Sequence, residues 1–245
     1  MHALNDKFQK TMITELRNLR CTSALSIEAQ KSLASVAVKR KYKVNEYIWE
    51  IGDPGEFIAI ILSGLVEISR HSGKDEEMTV GLFGSCDAIG ISAVMNKSAY
   101  PGSAKSLSKD CDVIKLYLRP ILNESNPHAH ELQVWVREMM LLHEQVLRDK
   151  IDILNAGNIE SRVYELLKHL IRRFGVHGPD SRRISIPLRI TRAQAAKLTN
   201  VRVETMIRMV SKWQRQKLIH WTQEGIVIEN LSLLEKSIAS GKTLK

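Results

Sequence analysis

Residues 190–208 read Ile190-Thr191-Arg192-Ala193-Gln194-Ala195-Ala196-Lys197-Leu198-Thr199-Asn200-Val201-Arg202-Val203-Glu204-Thr205-Met206-Ile207-Arg208. Thr191 and Gln194 have the spacing of a capping box: the Thr hydroxyl accepts from the N–H three residues on, and the Gln side chain reaches back. A short helix, Ala193 to Thr199, follows. Ala196 is small where two crossing helices must approach closely. Asn200 tolerates the left-handed turn better than most non-glycine residues. A second helix then runs from about Arg202 to Gln216. Met206, Met209 and Val210 share one face, and Trp213 extends it toward a core. Arg202, Glu204, Thr205, Arg208 and Ser211 point away. Two helices joined by a tight turn, the second with a polar outer face, form the pattern of a DNA-binding helix-turn-helix.

The flanking sequence supports this reading. Downstream, Leu218-Ile219-His220-Trp221 and Ile226-Val227-Ile228 predict a small hairpin placed as a wing. Upstream, a helix at Ile159–Phe174 stops at Gly175, and a strand-like piece spans Arg183 to Pro187. Charge is concentrated in the same region. Residues 156–245 carry 17 Lys/Arg against 7 Asp/Glu, whereas residues 1–155 carry 19 against 20. The whole excess of the +9 net charge therefore lies in the C-terminal part, which suggests a polyanionic partner.

Asn155-Ala156-Gly157-Asn158 breaks a helix and marks a boundary. Before it, Leu132, Trp135, Val136, Met139, Leu142, Val146 and Ile153 recur at helical steps, which predicts one long helix at 127–154. Such a helix is expected to pair with a second copy along that stripe, or else to pack against its own domain. Residues 41–120 change character: short apolar runs such as Phe57–Leu62, Leu65–Ile68, Met78–Phe83 and Val113–Leu118 alternate with turn signals, among them His71-Ser72-Gly73-Lys74-Asp75. That spacing predicts an antiparallel barrel or sandwich. Residues 4–40 read as short amphipathic helices. The expected fold is α+β: an N-terminal β-barrel of double-stranded jelly-roll type over residues 1–126, a dimerisation helix over 127–155, and a winged helix-turn-helix domain over 156–245.

Composition narrows the function classes. The 44% hydrophobic content excludes wholesale disorder in a 245-residue chain. No apolar run is long enough for a transmembrane helix, so no membrane partner is expected. Met1 to Lys10 lacks an apolar stretch, so no secretory signal is expected. Cys21, Cys86 and Cys111 are odd in number and widely spaced, which fits a reducing cytoplasm. Cys86 and Cys111 read as small buried hydrophobes rather than redox switches. No P-loop, zinc spacing, nucleophile elbow or dinucleotide fingerprint is present, so no enzymatic activity is expected.

The stretches Ile190–Leu198 and Val203–Arg208 resemble the C-terminal domain of the cyclic-AMP receptor/fumarate-nitrate regulator (CRP/FNR) family of bacterial transcription factors. Gly52-Asp53, Ser63-Gly64-Leu65-Val66 and Ile89-Gly90 resemble that family's cyclic-nucleotide-binding-type sensor domain, and the long helix resembles its dimerisation helix. The resemblance implies a homodimer on pseudo-palindromic double-stranded promoter DNA, acting as an activator through contact with RNA polymerase; repression by site occlusion is equally compatible with the residues. It implies that Glu204 and Arg208 read a G·C pair, and the chemistry agrees: Glu accepts from cytosine N4, and Arg donates twice to guanine. Val203 matches the FNR branch. Ile207 stands where both branches carry Ser or Gly, so a thymine methyl is a candidate contact there. Arg202 stands where a Ser or Thr N-cap is usual. Thr191, Arg192, Arg202, Thr205, Lys212, Arg182 and Arg183 are candidate phosphate contacts.

The sensor departs from the family's nucleotide-binding members. Their ribose-binding Glu aligns with Ile91, after Gly90, and their phosphate-clamping Arg aligns with Gly102, before Ser103. Both charged ligands are missing, so family-type cyclic-AMP binding is not expected, although Lys97 or Lys105 offers a charge by another geometry. Three cysteines are too few for the FNR-type iron–sulfur centre. No cofactor is predicted. Haem, with His71, His128, His130 or His143 as axial ligand, or an unidentified small effector remains open. So does a different class of function: a ligand-binding or protein-interaction module whose basic C-terminal domain binds nucleic acid without sequence preference.

Overall fold

The computed structural model describes residues 2–72, 76–178 and 182–239, and the chain divides into two compact units, Met1–Val146 and Leu147–Lys245. Residues 73–75 of the turn expected after β4 lie outside the described residues, as does the side chain of His71. No helix among the described residues is long and apolar enough to cross a membrane.

The first unit opens with α1 (His2–Asn18) and α2 (Ile27–Ser35), and Ser26 caps α2 by accepting from Ala29 N. Eight strands follow: β1 (Ala37–Tyr42), β2 (Tyr47–Trp49), β3 (Ile58–Ser63), β4 (Val66–Ser72), β5 (Glu76–Phe83), β6 (Ala88–Ile89), β7 (Ser103–Ser106) and β8 (Cys111–Leu116). They form two four-stranded antiparallel sheets, ordered β1-β8-β3-β6 and β2-β7-β4-β5. The expected barrel is therefore a pair of sheets rather than one closed cylinder. A short helix, α3 (Ile91–Met95), lies between β6 and β7.

β3 explains the uninterrupted apolar run in the sequence. Ile58, Ala59, Ile60 and Ile61 are all at 0% exposure. Successive strand side chains point to opposite faces. Ala59 and Ile61 join Val66, Phe83, Ala104 and Val113 between the sheets. Ile58 and Ile60 join Leu16, Leu33, Leu132 and Trp135 from the helices on the other face. A strand buried on both faces has no polar side to show, so alternation disappears.

The long helix is α4 (Ala129–Asn155). Its packing corrects the expected dimer stripe. Leu132, Trp135, Val136, Met139, Val146 and Ile153 are all buried within the chain, at 6% exposure or less. The first four pack with α1, α2 and β3, and Val146 enters the core between the sheets. Only Leu142 of the expected seam is exposed, at 60%. Periodicity identified a real apolar face, but that face is satisfied inside the monomer. A different set, Met140, Leu147 and Ile151, is left at 38–57% exposure.

The second unit continues with α5 (Ile159–Phe174), whose N-cap Asn158 accepts from Ser161 N. Gly175 does end α5, but in extended backbone rather than the left-handed cap usual for glycine. Its reason is space: a Cβ there would lie 2.4 Å from the Ile171 carbonyl oxygen. Strands β9 (Val176–His177), β10 (Ile184–Ile186), β11 (Ile219–Trp221) and β12 (Ile226–Ile228) form one sheet, ordered β11-β12-β10-β9. Between them lie α6 (Arg192–Thr199) and α7 (Val203–Arg215), and α8 (Leu231–Ala239) closes the unit. β9 and α8 were not anticipated from the sequence.

Candidate nucleic-acid interface

Thr191 Oγ1 accepts from Gln194 N at 3.1 Å, and Thr191 N donates to Gln194 Oε1 at 2.7 Å, so both halves of the capping box form. Such a cap contributes about 1 kcal/mol to the helix. Ala195 and Ala196 are buried against neighbouring elements at 1% exposure or less. Asn200 sits at φ 51°, ψ 51°, the left-handed turn its side chain tolerates. These features hold α6 against α7 in the helix-turn-helix arrangement.

The two faces of α7 separate sharply. Met206, Val210 and Trp213 are fully buried, and Met209 is 6% exposed. Glu204, Ile207, Arg208 and Ser211 face solvent, with Val203 beside them. Arg208 donates weakly to Thr205 Oγ1 at 3.5 Å rather than pairing with Glu204. Glu and Arg at i and i+4 thus share one face without neutralising each other. Arg202 is the N-cap of α7 and makes no side-chain cap, leaving its guanidinium exposed before a helix N-terminus that itself favours anions.

Several expected phosphate contacts are committed elsewhere. Arg192 turns inward: its guanidinium donates to Gln214 Oε1 at 3.0 Å and to the Trp221 carbonyl at 3.2 Å. It ties α6 to α7 and to β11, so it supports the interface instead of presenting a free charge. Lys212 pairs with Glu160 at 2.7 Å, linking α7 to the first turn of α5. Arg183 lies 3.6 Å from Glu229, while Arg182 is exposed in the loop before β10. The β11–β12 hairpin turns at residues 222–225, where Thr222 N donates to the Gly225 carbonyl at 2.9 Å. Gly225 is required there, because a Cβ would meet the Ile186 carbonyl oxygen at 2.3 Å.

Sequence reading missed the buried polar support behind the interface. Lys150 Nζ donates to the Leu198 carbonyl at 2.5 Å, so it satisfies the end of α6. Burial pushes its pKa down to about 8. Asp149 Oδ2 lies 2.5 Å from His169 Nδ1, and Asp149 Oδ1 accepts from Arg172 at 2.5 Å. His169 is pushed down to about 4, chiefly by burial, with Asp149 opposing the shift and Arg173 and Arg172 adding to it. The sign follows from linkage: the unfolded chain takes up a proton near 6.5 that the folded unit resists until about 4. Stability contributed by neutral His169 is therefore full above 6.5 and falls as pH drops toward 4. Thermal melts across that range should show a falling Tm for the DNA-binding unit, with a shallower slope in His169→Gln. An equal slope in both would sink this assignment.

In the sensor, each position aligned with a nucleotide ligand is occupied by the fold itself. Ile91 is buried at 3% in the core shared with the helices. Gly90 adopts φ 82° at the start of α3. A Cβ on Gly102 would lie 2.7 Å from the Ser69 carbonyl oxygen, so no arginine fits without moving backbone. The Gly102 carbonyl accepts from Trp49 Nε1 at 2.9 Å, and Ser103 Oγ accepts from Ile51 N at 2.9 Å. His143 of α4 stacks on Phe83, ring centroids 5.0 Å apart. Lys105 lies 3.8 Å from the buried Glu67, whose carboxylate also accepts from Thr79 Oγ1 at 2.5 Å, while Lys97 stays exposed. His128 is half-buried and His130 exposed at the start of α4.

A helix pair with one solvent-facing helix, backed by a β-hairpin, in a chain whose other unit is a two-sheet sensor, defines a winged helix-turn-helix transcription regulator. The cyclic nucleotide-binding domain model matches residues 39–123, and the Crp-like helix-turn-helix model matches residues 161–237. The anaerobic regulatory protein of Bacillus subtilis is 26% identical over 83% of this chain and 84% of its own length. The transcriptional activator protein anr of Pseudomonas aeruginosa is 24% identical over 91% and 88%. The structure of FixK2 from Bradyrhizobium japonicum superposes with a TM-score of 0.69 at 18% identity, over 82% of this chain and 96% of that one. The protein belongs to the CRP/FNR family of DNA-binding transcription regulators.

Proposed function

We propose that the protein works as a homodimer on a pseudo-palindromic promoter site, as an activator that contacts RNA polymerase, and without cyclic AMP in the manner of the nucleotide-binding relatives. The observation that carries this reading is the outer face of α7, where Glu204 and Arg208 are unpaired with each other and open to a major groove. Arg208 takes guanine N7 and O6, Glu204 takes cytosine N4, and Val203 and Ile207 offer apolar contacts to thymine methyls. Thr191, Arg202, Thr205 and Arg182 position the unit on phosphates, joined by Arg183 and Lys212 where DNA displaces their present carboxylate partners. The activator role is carried over from relatives such as the transcriptional activator protein anr, and a cytoplasmic location is the one that suits a DNA-binding regulator.

The dimer seam is redrawn from the sequence-based stripe. Met140, Leu147 and Ile151 are exposed on α4 at steps of seven and four, the spacing of a coiled-coil seam, with Glu144 completing the series. Two copies joined there would present recognition helices to successive major grooves about 34 Å apart. Loss of the phosphate-clamping arginine at Gly102 supports a sensor that does not take cyclic AMP.

Selection of bound duplexes from a random pool, using ligand-free protein at about 150 mM salt, tests the whole reading. The expected result is a two-fold-symmetric motif containing a G·C pair in each half-site. A featureless pool from a folded dimer, unchanged by added cyclic nucleotides, would instead support the nonspecific binding module.

A further inference from the structure

Two consecutive residues near the end of α4 carry opposite charges and are both buried, Asp149 at 4% exposure and Lys150 at 9%. A buried charge is costly unless it is well partnered, so the partners show what each one holds. Asp149 reaches α5: its Oδ2 lies 2.5 Å from His169 Nδ1, and its Oδ1 accepts from Arg172 at 2.5 Å. Lys150 reaches α6, where its Nζ donates to the Leu198 carbonyl at 2.5 Å and to the Lys197 carbonyl at 3.4 Å. Those carbonyls end the first helix of the helix-turn-helix, where the backbone carries partial negative charge. Just beyond them Asn200 takes its left-handed turn, and Val201 N donates to the Ala196 carbonyl at 2.9 Å. An ammonium held there fixes the point from which the chain turns into α7.

The next residue faces elsewhere. Ile151 is 57% exposed, and Leu147, one turn earlier on the same face, is 38% exposed. Both belong to the seam assigned above. Successive residues of a helix point about 100° apart. Asp149, Lys150 and Ile151 therefore divide the circumference of α4 among α5, α6 and solvent. From Leu147 onward the helix is part of the same compact unit as α5, α6 and α7. Turning α4 by one residue against α6 would pull both buried charges off their partners. One turn of helix thus joins the seam to the helix-turn-helix with little freedom between them.

We propose that Lys150, with Asp149 beside it, is a positioning residue that holds the helix-turn-helix in one place relative to the dimer seam, and so sets the spacing between half-sites that the dimer accepts. This rests on the homodimer reading above. Lys150 contacts neither base nor phosphate, because its ammonium is turned inward to the α6 carbonyls. It acts through α6 and the turn on α7, which carries Glu204 and Arg208. One base pair moves the second half-site by about 3.4 Å along the duplex and also turns it about the axis. A rigidly held pair of recognition helices cannot follow that step, and the gain from engaging both half-sites at once is forfeited. A loosely held pair can follow it.

Lys150→Met tests this, since it keeps a long unbranched side chain and removes the charge. Full-length protein is titrated on duplexes carrying the two selected half-sites, with the central spacer unchanged, one base pair longer or one shorter. A duplex with a single half-site is the fourth probe. The wild-type chain should lose at least about tenfold in affinity for either change of spacer. Lys150→Met should bind the unchanged duplex about tenfold more weakly and differ by less than about threefold among the three spacings. Its affinity for the single half-site should match the wild type, which a general loss of structure would not allow. Lys150→Arg should restore the spacing preference. Thermal melts and sedimentation establish that each variant is folded and dimeric. If Lys150→Met does not fold, Asp149→Asn, which weakens the neighbouring grip, decides the matter and should flatten the profile in part. A folded variant with the wild-type spacing profile would overturn the proposal, as would equal losses on single and paired half-sites. A wild-type chain with a two-fold motif but no spacing preference would overturn this proposal alone. A wild-type chain with no two-fold motif would remove the functional reading and the proposal with it.

Discussion

Arg208→Ala is expected to lower affinity for the selected duplex by about 1–3 kcal/mol per half-site, and so by up to two orders of magnitude at each. The effect should vanish on duplexes already altered at the G·C pair, because the lost contact is a base contact. Trp213 and Met206, which hold α7 in place, lie on the opposite face, so the fold should be unchanged. Arg202→Ala provides the contrast. It should weaken all duplexes alike and reduce the salt dependence by about one counterion. Binding titrations on a panel of single-base variants at two salt concentrations separate the two behaviours. A uniform loss across the panel for Arg208→Ala would remove it from base reading and make it one more phosphate contact.

Ile151→Glu is expected to have the larger effect on overall affinity. In the redrawn seam it replaces an apolar contact with two like charges facing each other. Sedimentation at micromolar concentration should then give a monomer. Losing the second half-site removes the intramolecular advantage of a dimer, about 10²–10⁴-fold in affinity. Trp135→Ala should do the opposite. Trp135 is 3% exposed among Leu132, Val136 and the α1–α2 helices, so truncation should cost about 3–5 kcal/mol of folding stability while leaving the dimer mass intact. A dimeric Ile151→Glu protein beside a monomeric Trp135→Ala protein would restore the stripe read from periodicity.

The contrast between those residues marks where one-dimensional reading stops. Leu132, Trp135, Val136 and Met139 announce an amphipathic helix because burial must recur at 3.6-residue steps. The pattern cannot name what covers the face. Here β3 and the α1–α2 helices take it, and a weaker second stripe, Met140, Leu147 and Ile151, stays exposed. The same limit applies to charge. Arg192 and Arg202 are equally basic in the sequence, yet Arg192 is drawn inward by Gln214 and the Trp221 carbonyl, while Arg202 is exposed and makes no side-chain cap. Gly102 was legible as a missing ligand. That the site has no room for a side chain there was not, because the obstructing Ser69 carbonyl comes from a neighbouring strand.

The sequence by itself determined the helix-turn-helix. Its capping box, its left-handed Asn200 and the split between Met206–Val210–Trp213 and Glu204–Arg208 are local patterns, with every partner within a few turns of chain. It also determined the order of parts and the lack of a phosphate clamp. Tertiary structure alone decided which face of α4 remains open and that Lys150 closes the end of α6. It alone decided that the buried Asp149 meets both His169 and Arg172. Each of those depends on groups brought together from distant elements, and composition and periodicity carry no record of distance in space.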